Sequence, residues 1–168
     1  MPARHSKKGF TLIELLVVIG ILAILLTIVL IAINPSRQFA QANNTKRRSD
    51  VLAILNAIHE YAADNQGNLP TAMQSLTAGT QYEIAATGTT GFTNIADICQ
   101  DVMPKYLSAF PTDPKLNVAP VTACNTAGGD AYDSGYEVEI DANNRVTVTA
   151  PLTDTTVESS GNAISITR

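Results

Sequence analysis

The stretch that decides the fold runs from Phe10 to Ile33 and reads FTLIELLVVIGILAILLTIVLIAI. Of its 24 residues only Thr11, Glu14 and Thr27 carry polar side chains. As an α-helix it is about 36 Å long, enough to cross a hydrocarbon core of about 30 Å. A chain of 168 residues is too small to bury such a helix in its own core. Two simple readings leave something over. A cleaved secretory signal peptide has Ala40-Gln41-Ala42 as an A-x-A site, but its apolar region runs only about 7–15 residues. A plain membrane anchor leaves Glu14 unexplained, since an acid in the bilayer costs about 2.5–3.5 kcal/mol on insertion scales.

A third reading accounts for the acid and for the basic residues upstream. The run Lys7-Lys8-Gly9-Phe10-Thr11-Leu12-Ile13-Glu14, with the apolar residues to Leu25, resembles the processing site of type IV prepilins and related pseudopilins. The resemblance is strongest over residues 7–35. It implies a leader of residues 1–9, removed by a dedicated membrane peptidase that cuts between Gly9 and Phe10 and methylates the new amine of Phe10. Glu14 then becomes the fifth residue of the mature chain. The chemistry agrees with this. Cleavage creates a positive amine at Phe10, and Glu14 offers a negative charge to the amine of a neighbouring copy. In a low-dielectric setting such a pair offsets much of the cost of burying either group and fixes the axial register between helices.

Downstream, Pro35 removes an amide donor and clashes with the carbonyl four residues back, so the helix is expected to kink or loosen around Ile31–Asn34. Helical periodicity resumes at Val51, Ile54, Leu55, Ile58, Tyr61 and Ala62, the stripe of an amphipathic helix. One helix is expected from about 10 to 65. Residues 10–33 form its transmembrane and assembly half, and 34–65 its amphipathic continuation. Arg37, Lys46, Arg47 and Arg48 form a basic cluster, read as contact with anionic lipid or with acidic faces of neighbours, or as a solvated helix face.

Residues 66–168 are expected to form a globular head. Tyr82-Glu83-Ile84 is read as a short strand. Asn94 is read as the cap of a short helix carrying Ile95, Ile98, Val102 and Met103, ended by Pro104. The run Phe110-Pro111-Thr112-Asp113-Pro114 resembles a Leu-Pro-x-Asp-Pro stretch of pilin heads, with phenylalanine for leucine. Tyr136, Val138 and Ile140 alternate with acids, Asp141-Ala142-Asn143-Asn144 supplies a turn, and Val146 and Val148 alternate with threonines. This pattern predicts an antiparallel hairpin, and Ala163–Ile166 a further strand. The fold class is therefore α+β: a long N-terminal helix, its first half transmembrane, packed by its C-terminal half on a small antiparallel sheet.

Composition limits the functions. The chain carries −4, and without the three leader cations 8 basic residues face 15 acidic ones, a balance of −7. That argues against nucleic-acid binding by bulk charge. Cys99 and Cys124 are an even pair, expected to form one disulfide if the head is exported. His59, the head's single histidine, is read as a surface or boundary residue. Catalytic motifs are not found, and neither enzymatic activity nor a cofactor is expected. Asp130 and Asp133 are weak calcium candidates, though their spacing does not follow an EF-hand.

The resemblance implies a structural subunit of a type IV pilus-like filament, with the leader cytoplasmic and the head outside before assembly. Its implied partners are copies of itself and other pilins, the prepilin peptidase, an inner-membrane assembly platform driven by an ATPase, and membrane lipid. A pseudopilin of a type II secretion system is the alternative within the class. A secreted or anchored binding domain cut after Ala42 is the alternative outside it.

Overall fold

The computed structural model of the chain describes residues 9–124 and 132–168. Two units make up the chain, Met1–Phe39 and Ala40–Arg168.

In the first unit, helix α1 spans Leu12–Ile33, and none of its residues is buried. Among the described residues it is the one helix long and apolar enough to cross a membrane. It ends at Asn34, whose backbone is left-handed at φ 46° and ψ 76°. A second helix, α2, spans Pro35–Asp64. The single helix expected over 10–65, with a kink or loosening around Ile31–Asn34, is instead two helices separated at Asn34, and the local chemistry explains it. Pro35 has no amide to donate and disfavours a right-handed helical residue before it, yet suits the first position of a new helix. Asn34 tolerates the left-handed region better than most residues. Its carbonyl accepts the Arg37 amide at 3.1 Å, and its Oδ1 accepts the Ser36 hydroxyl at 2.8 Å. Asn34 therefore closes one helix and caps the next.

In the second unit, α2 buries Asn44, Arg47, Val51, Ile54, Leu55, Ala57, Ile58 and Ala62. The apolar members are the stripe anticipated from periodicity, and Tyr61 is half-buried at its margin. Gln66 takes a left-handed φ of 59°, and the Gly67 amide returns to the Ala62 carbonyl at 2.8 Å, closing the helix.

Four strands form one antiparallel sheet in the order β1-β2-β3-β4: Tyr82–Ala85, Asp133–Ile140, Val146–Ala150 and Ile164–Thr167. Val138 stands opposite Val148, and Val148 opposite Ile166. Tyr136, Val138, Ile140, Val146, Val148, Ala150 and Ile164 share one core with the α2 stripe. The hairpin turns where expected. The Asp141 carboxylate accepts the Asn143 and Arg145 amides at 2.8 Å, and Asn144 takes φ 63°.

The short helix differs from expectation. Helix α3 covers only Cys99–Val102, and Ile98 precedes it without a side-chain cap. Asn94 and Ala96 instead bond the backbone of Glu83, at 3.0 and 2.8 Å. The outer edge of β1 thereby takes up residues that local pattern assigned to a helix. Cys99 and Cys124 are joined by a disulfide, with Cα atoms 5.6 Å apart.

Candidate functional site

The candidate site is the start of α1. Gly9 and Phe10 are exposed, and a side chain added at Gly9 would meet nothing within 4 Å. Phe10 is 90% exposed. Thr11 is extended at φ −83° and ψ 152° and caps α1. Its hydroxyl oxygen accepts the Glu14 amide at 3.2 Å. One Glu14 carboxylate oxygen accepts both the Thr11 amide and the Thr11 hydroxyl, each at 2.8 Å. This is a reciprocal capping box, which satisfies donors a helix start otherwise leaves open. It also sets the negative carboxylate at the positive end of the helix.

Sequence reasoning placed Glu14 near the new N-terminus but missed its tie to Thr11. The signal was present, because a threonine followed three residues later by a glutamate is the spacing of a capping box. One carboxylate oxygen is engaged within its own chain, and the carboxylate has further acceptor capacity. A separated single chain can thus hold the acid at low cost and still present it to an added cation.

The basic cluster resolves into separate roles. Arg47, 1% exposed, donates to the two carboxylate oxygens of Asp113 at 2.6 and 2.8 Å. It also donates to Asn44 Oδ1 at 2.9 Å. Asp113 is fully buried and accepts the Lys115 amide at 2.8 Å. Asn44 in turn exchanges hydrogen bonds with the Asp154 backbone at 2.9 and 3.0 Å. Lys46 pairs with Asp50 and donates to the Thr112 carbonyl, while Arg48 pairs with Glu158. Arg47 leaves the solvated face altogether, while Lys46 and Arg48, with about half of each side chain exposed, make their ion pairs on it. Arg47 is consumed inside the head, and the partners lie 66 to 110 residues away, except the nearby Asn44 and Asp50. Gly135 completes the arrangement. At φ 70° it brings β2 so near that a side chain there would lie 2.9 Å from the Asp113 Cβ.

The Phe110–Pro114 stretch therefore supplies the buried counter-charge for α2, a role its sequence resemblance did not disclose. Asp50 adds a second polar tie by accepting the Tyr136 hydroxyl at 2.7 Å. His59 is half-buried on α2, and its Nε2 is enclosed without a hydrogen-bond partner among the described residues.

Of the calcium candidates, Asp130 lies outside the described residues. Asp133 begins β2 and accepts the Gly135 amide at 2.8 Å. Near it, Glu83 stands opposite Glu137 in the register. Burial first, then the Asp133 and Glu137 carboxylates, push Glu83 up to about 8. Among the described residues no group of three or more histidine, cysteine or acidic side chains is arranged to hold a metal ion.

The prokaryotic N-terminal methylation motif, as a family, matches residues 4–30. Type II secretion system core protein G of Escherichia coli strain K12 is 36% identical over 76 residues, 45% of this chain and 50% of that protein. The protein of the same name from Klebsiella michiganensis is 37% identical over 75 residues, 45% of this chain and 51% of its own. That from Aeromonas hydrophila is 37% identical over 75 residues, 45% and 50%. The chain spans about half the length of the curated relatives it matches. No solved structure matches it. The methylation motif leads an apolar helix, part of the chain is similar to type II secretion system core protein G, and the α+β fold with its small antiparallel sheet is pilin-like in architecture.

Proposed function

We propose that the chain is a structural subunit of a type IV pilus-like filament. Its leader is cut after Gly9 by prepilin peptidase, Phe10 is N-methylated, and the processed subunit waits in the membrane until an assembly platform extracts it. The observation that carries this reading is α1, which buries none of its residues in its own chain. Such a helix needs an apolar surrounding from elsewhere. Lipid supplies it first and the α1 helices of neighbouring copies later, so extraction exchanges one apolar contact for another. Glu14 meets the Phe10 amine of a neighbour and sets the register between copies. The head remains outside and forms the filament surface.

Among filaments of this kind, the relatives support the short periplasmic pseudopilus of a type II secretion system. The reading as a binding domain cut after Ala42 has less support. Ala42 lies inside α2, two residues before Asn44, and a cut there would put the buried network at a fresh chain end.

The test is a pair of variants expressed with the assembly machinery. Gly9→Leu is expected to keep its leader and yield no filament. Glu14→Ala is expected to be cut normally and to yield few or none. Normal filaments from Glu14→Ala would end the pairing mechanism, and continued cleavage of Gly9→Leu would remove the peptidase assignment.

A further inference from the structure

C-terminal to α1, the large apolar side chain most exposed among the described residues is Phe39, at 71%. Two positions before it stands Arg37, the one cation of α2 that has no acidic partner among the described residues. Both belong to the first unit. Helix α1, with 22 residues, is about 33 Å long and fills the hydrocarbon core. The headgroup layer beyond it is about 5–7 Å deep on each side. Arg37 stands four residues past Ile33 and Phe39 six, across the break at Asn34 and at the start of α2. Side chains on a helix lean toward its N-terminus, so the Phe39 ring reaches back toward the bilayer.

We propose that Arg37 and Phe39 form a headgroup contact that seats the unassembled subunit in phospholipid. The Arg37 guanidinium meets lipid phosphate, and the Phe39 ring enters the boundary between headgroups and acyl chains. The two side chains point to different sides of α2, which suits a spanning helix because lipid surrounds it. Charge complementarity selects the occupant. The first turn of α2 contains no acidic residue, so its positive end and Arg37 add up rather than cancel. Asn34 holds this turn in place through the Arg37 amide. The inference rests on the membrane-stage reading above and deepens it by naming what the subunit must release on extraction.

The chain contains no tryptophan, so Phe39→Trp gives a single fluorescent reporter in the full-length protein. It is reconstituted at low density in phosphatidylcholine vesicles carrying phosphatidylglycerol, with spin labels on either lipid. Emission from the indole at position 39 is expected at shorter wavelength than in water, quenched more by a shallow label than by a deep one. Labelled phosphatidylglycerol is expected to quench about fivefold more effectively than labelled phosphatidylcholine, and adding Arg37→Gln to remove that preference. Leu22→Trp, at the middle of α1, is the control. If the Leu22→Trp reporter is quenched by the deep label but the Phe39→Trp reporter by none, α1 spans the bilayer and the headgroup contact is wrong. If the Leu22→Trp reporter is not quenched either, the membrane-stage reading fails first. Shielding of the indole at position 39 that develops only at high protein-to-lipid ratio would assign the surface to a second copy and overturn the proposal.

Discussion

Two helices follow one another in this chain and solve opposite problems. Helix α1 is apolar on every side and buries nothing in its own chain. Helix α2 is polar overall, yet from Asn44 onward it buries a stripe that includes a charged arginine. The difference teaches where each helix finds its stability. For α2 the solvent-excluded surface is the chain's own sheet. For α1 it has to come from outside, and the function we propose assigns it first to lipid and then to other copies. The polar groups differ in the same sense. Arg47 and Asp113 satisfy each other within the head, whereas Glu14 is held by a threonine three residues away and keeps capacity for a partner.

The strongest way to break this comparison is to remove one half of the buried pair. Arg47→Met leaves Asp113 uncompensated in the core, and about 3–5 kcal/mol of head stability should be lost. Urea unfolding of the detergent-solubilised chain, followed by circular dichroism, measures it. The double change Arg47→Met with Asp113→Leu should recover much of that loss, because an apolar pair of similar volume tolerates the site. Equal instability of single and double variants would mean that the pair is not a unit.

A matched pair of truncations sharpens the contrast. Leu55→Ala, in the core of the head, should cost about 2–5 kcal/mol in the same unfolding experiment. Leu22→Ala, on exposed α1, should leave head unfolding unchanged and instead lower the yield of assembled filament. Similar unfolding shifts for both would show that α1 draws stability from its own chain.

A third effect is electrostatic and belongs to the head alone. Glu83 has its folded pKa raised from 4.5 to about 8, by burial first and then by Asp133 and Glu137. The folded state therefore holds a proton that the unfolded state releases earlier. The stabilisation is complete below about pH 4.5 and lost as pH rises through about 8. Glu83→Gln should flatten this part of the stability profile. An unchanged slope between pH 4.5 and 8 would place the titration elsewhere.

The legible and illegible parts of the chain divide along the same physical line. Continuous apolarity over 10–33 and alternation over 136–148 are local patterns, and they marked α1 and the β2–β3 hairpin. The α2 stripe from Val51 to Ala62 was legible for the same reason. The break at Asn34 was only half legible. Proline pointed to the region, but not to an asparagine that ends one helix and caps the next. The Arg47–Asp113 pair and the capture of Asn94–Ala96 by β1 were not legible at all. Each depends on residues brought together by the sheet, and no spacing rule along the chain encodes them. At the candidate site the glycine, the phenylalanine and the acid stood out, while the Thr11–Glu14 box was written in plain spacing and passed over.

The most direct measurement is the intact mass and N-terminal sequence of the protein sheared from cells. A chain that begins with N-methylated Phe10 is the predicted result, since only then does α1 carry both the amine and the acid needed to stack on copies of itself. A recovered chain that still carries Met1, or one that begins at Asn43 without α1, would contradict the account.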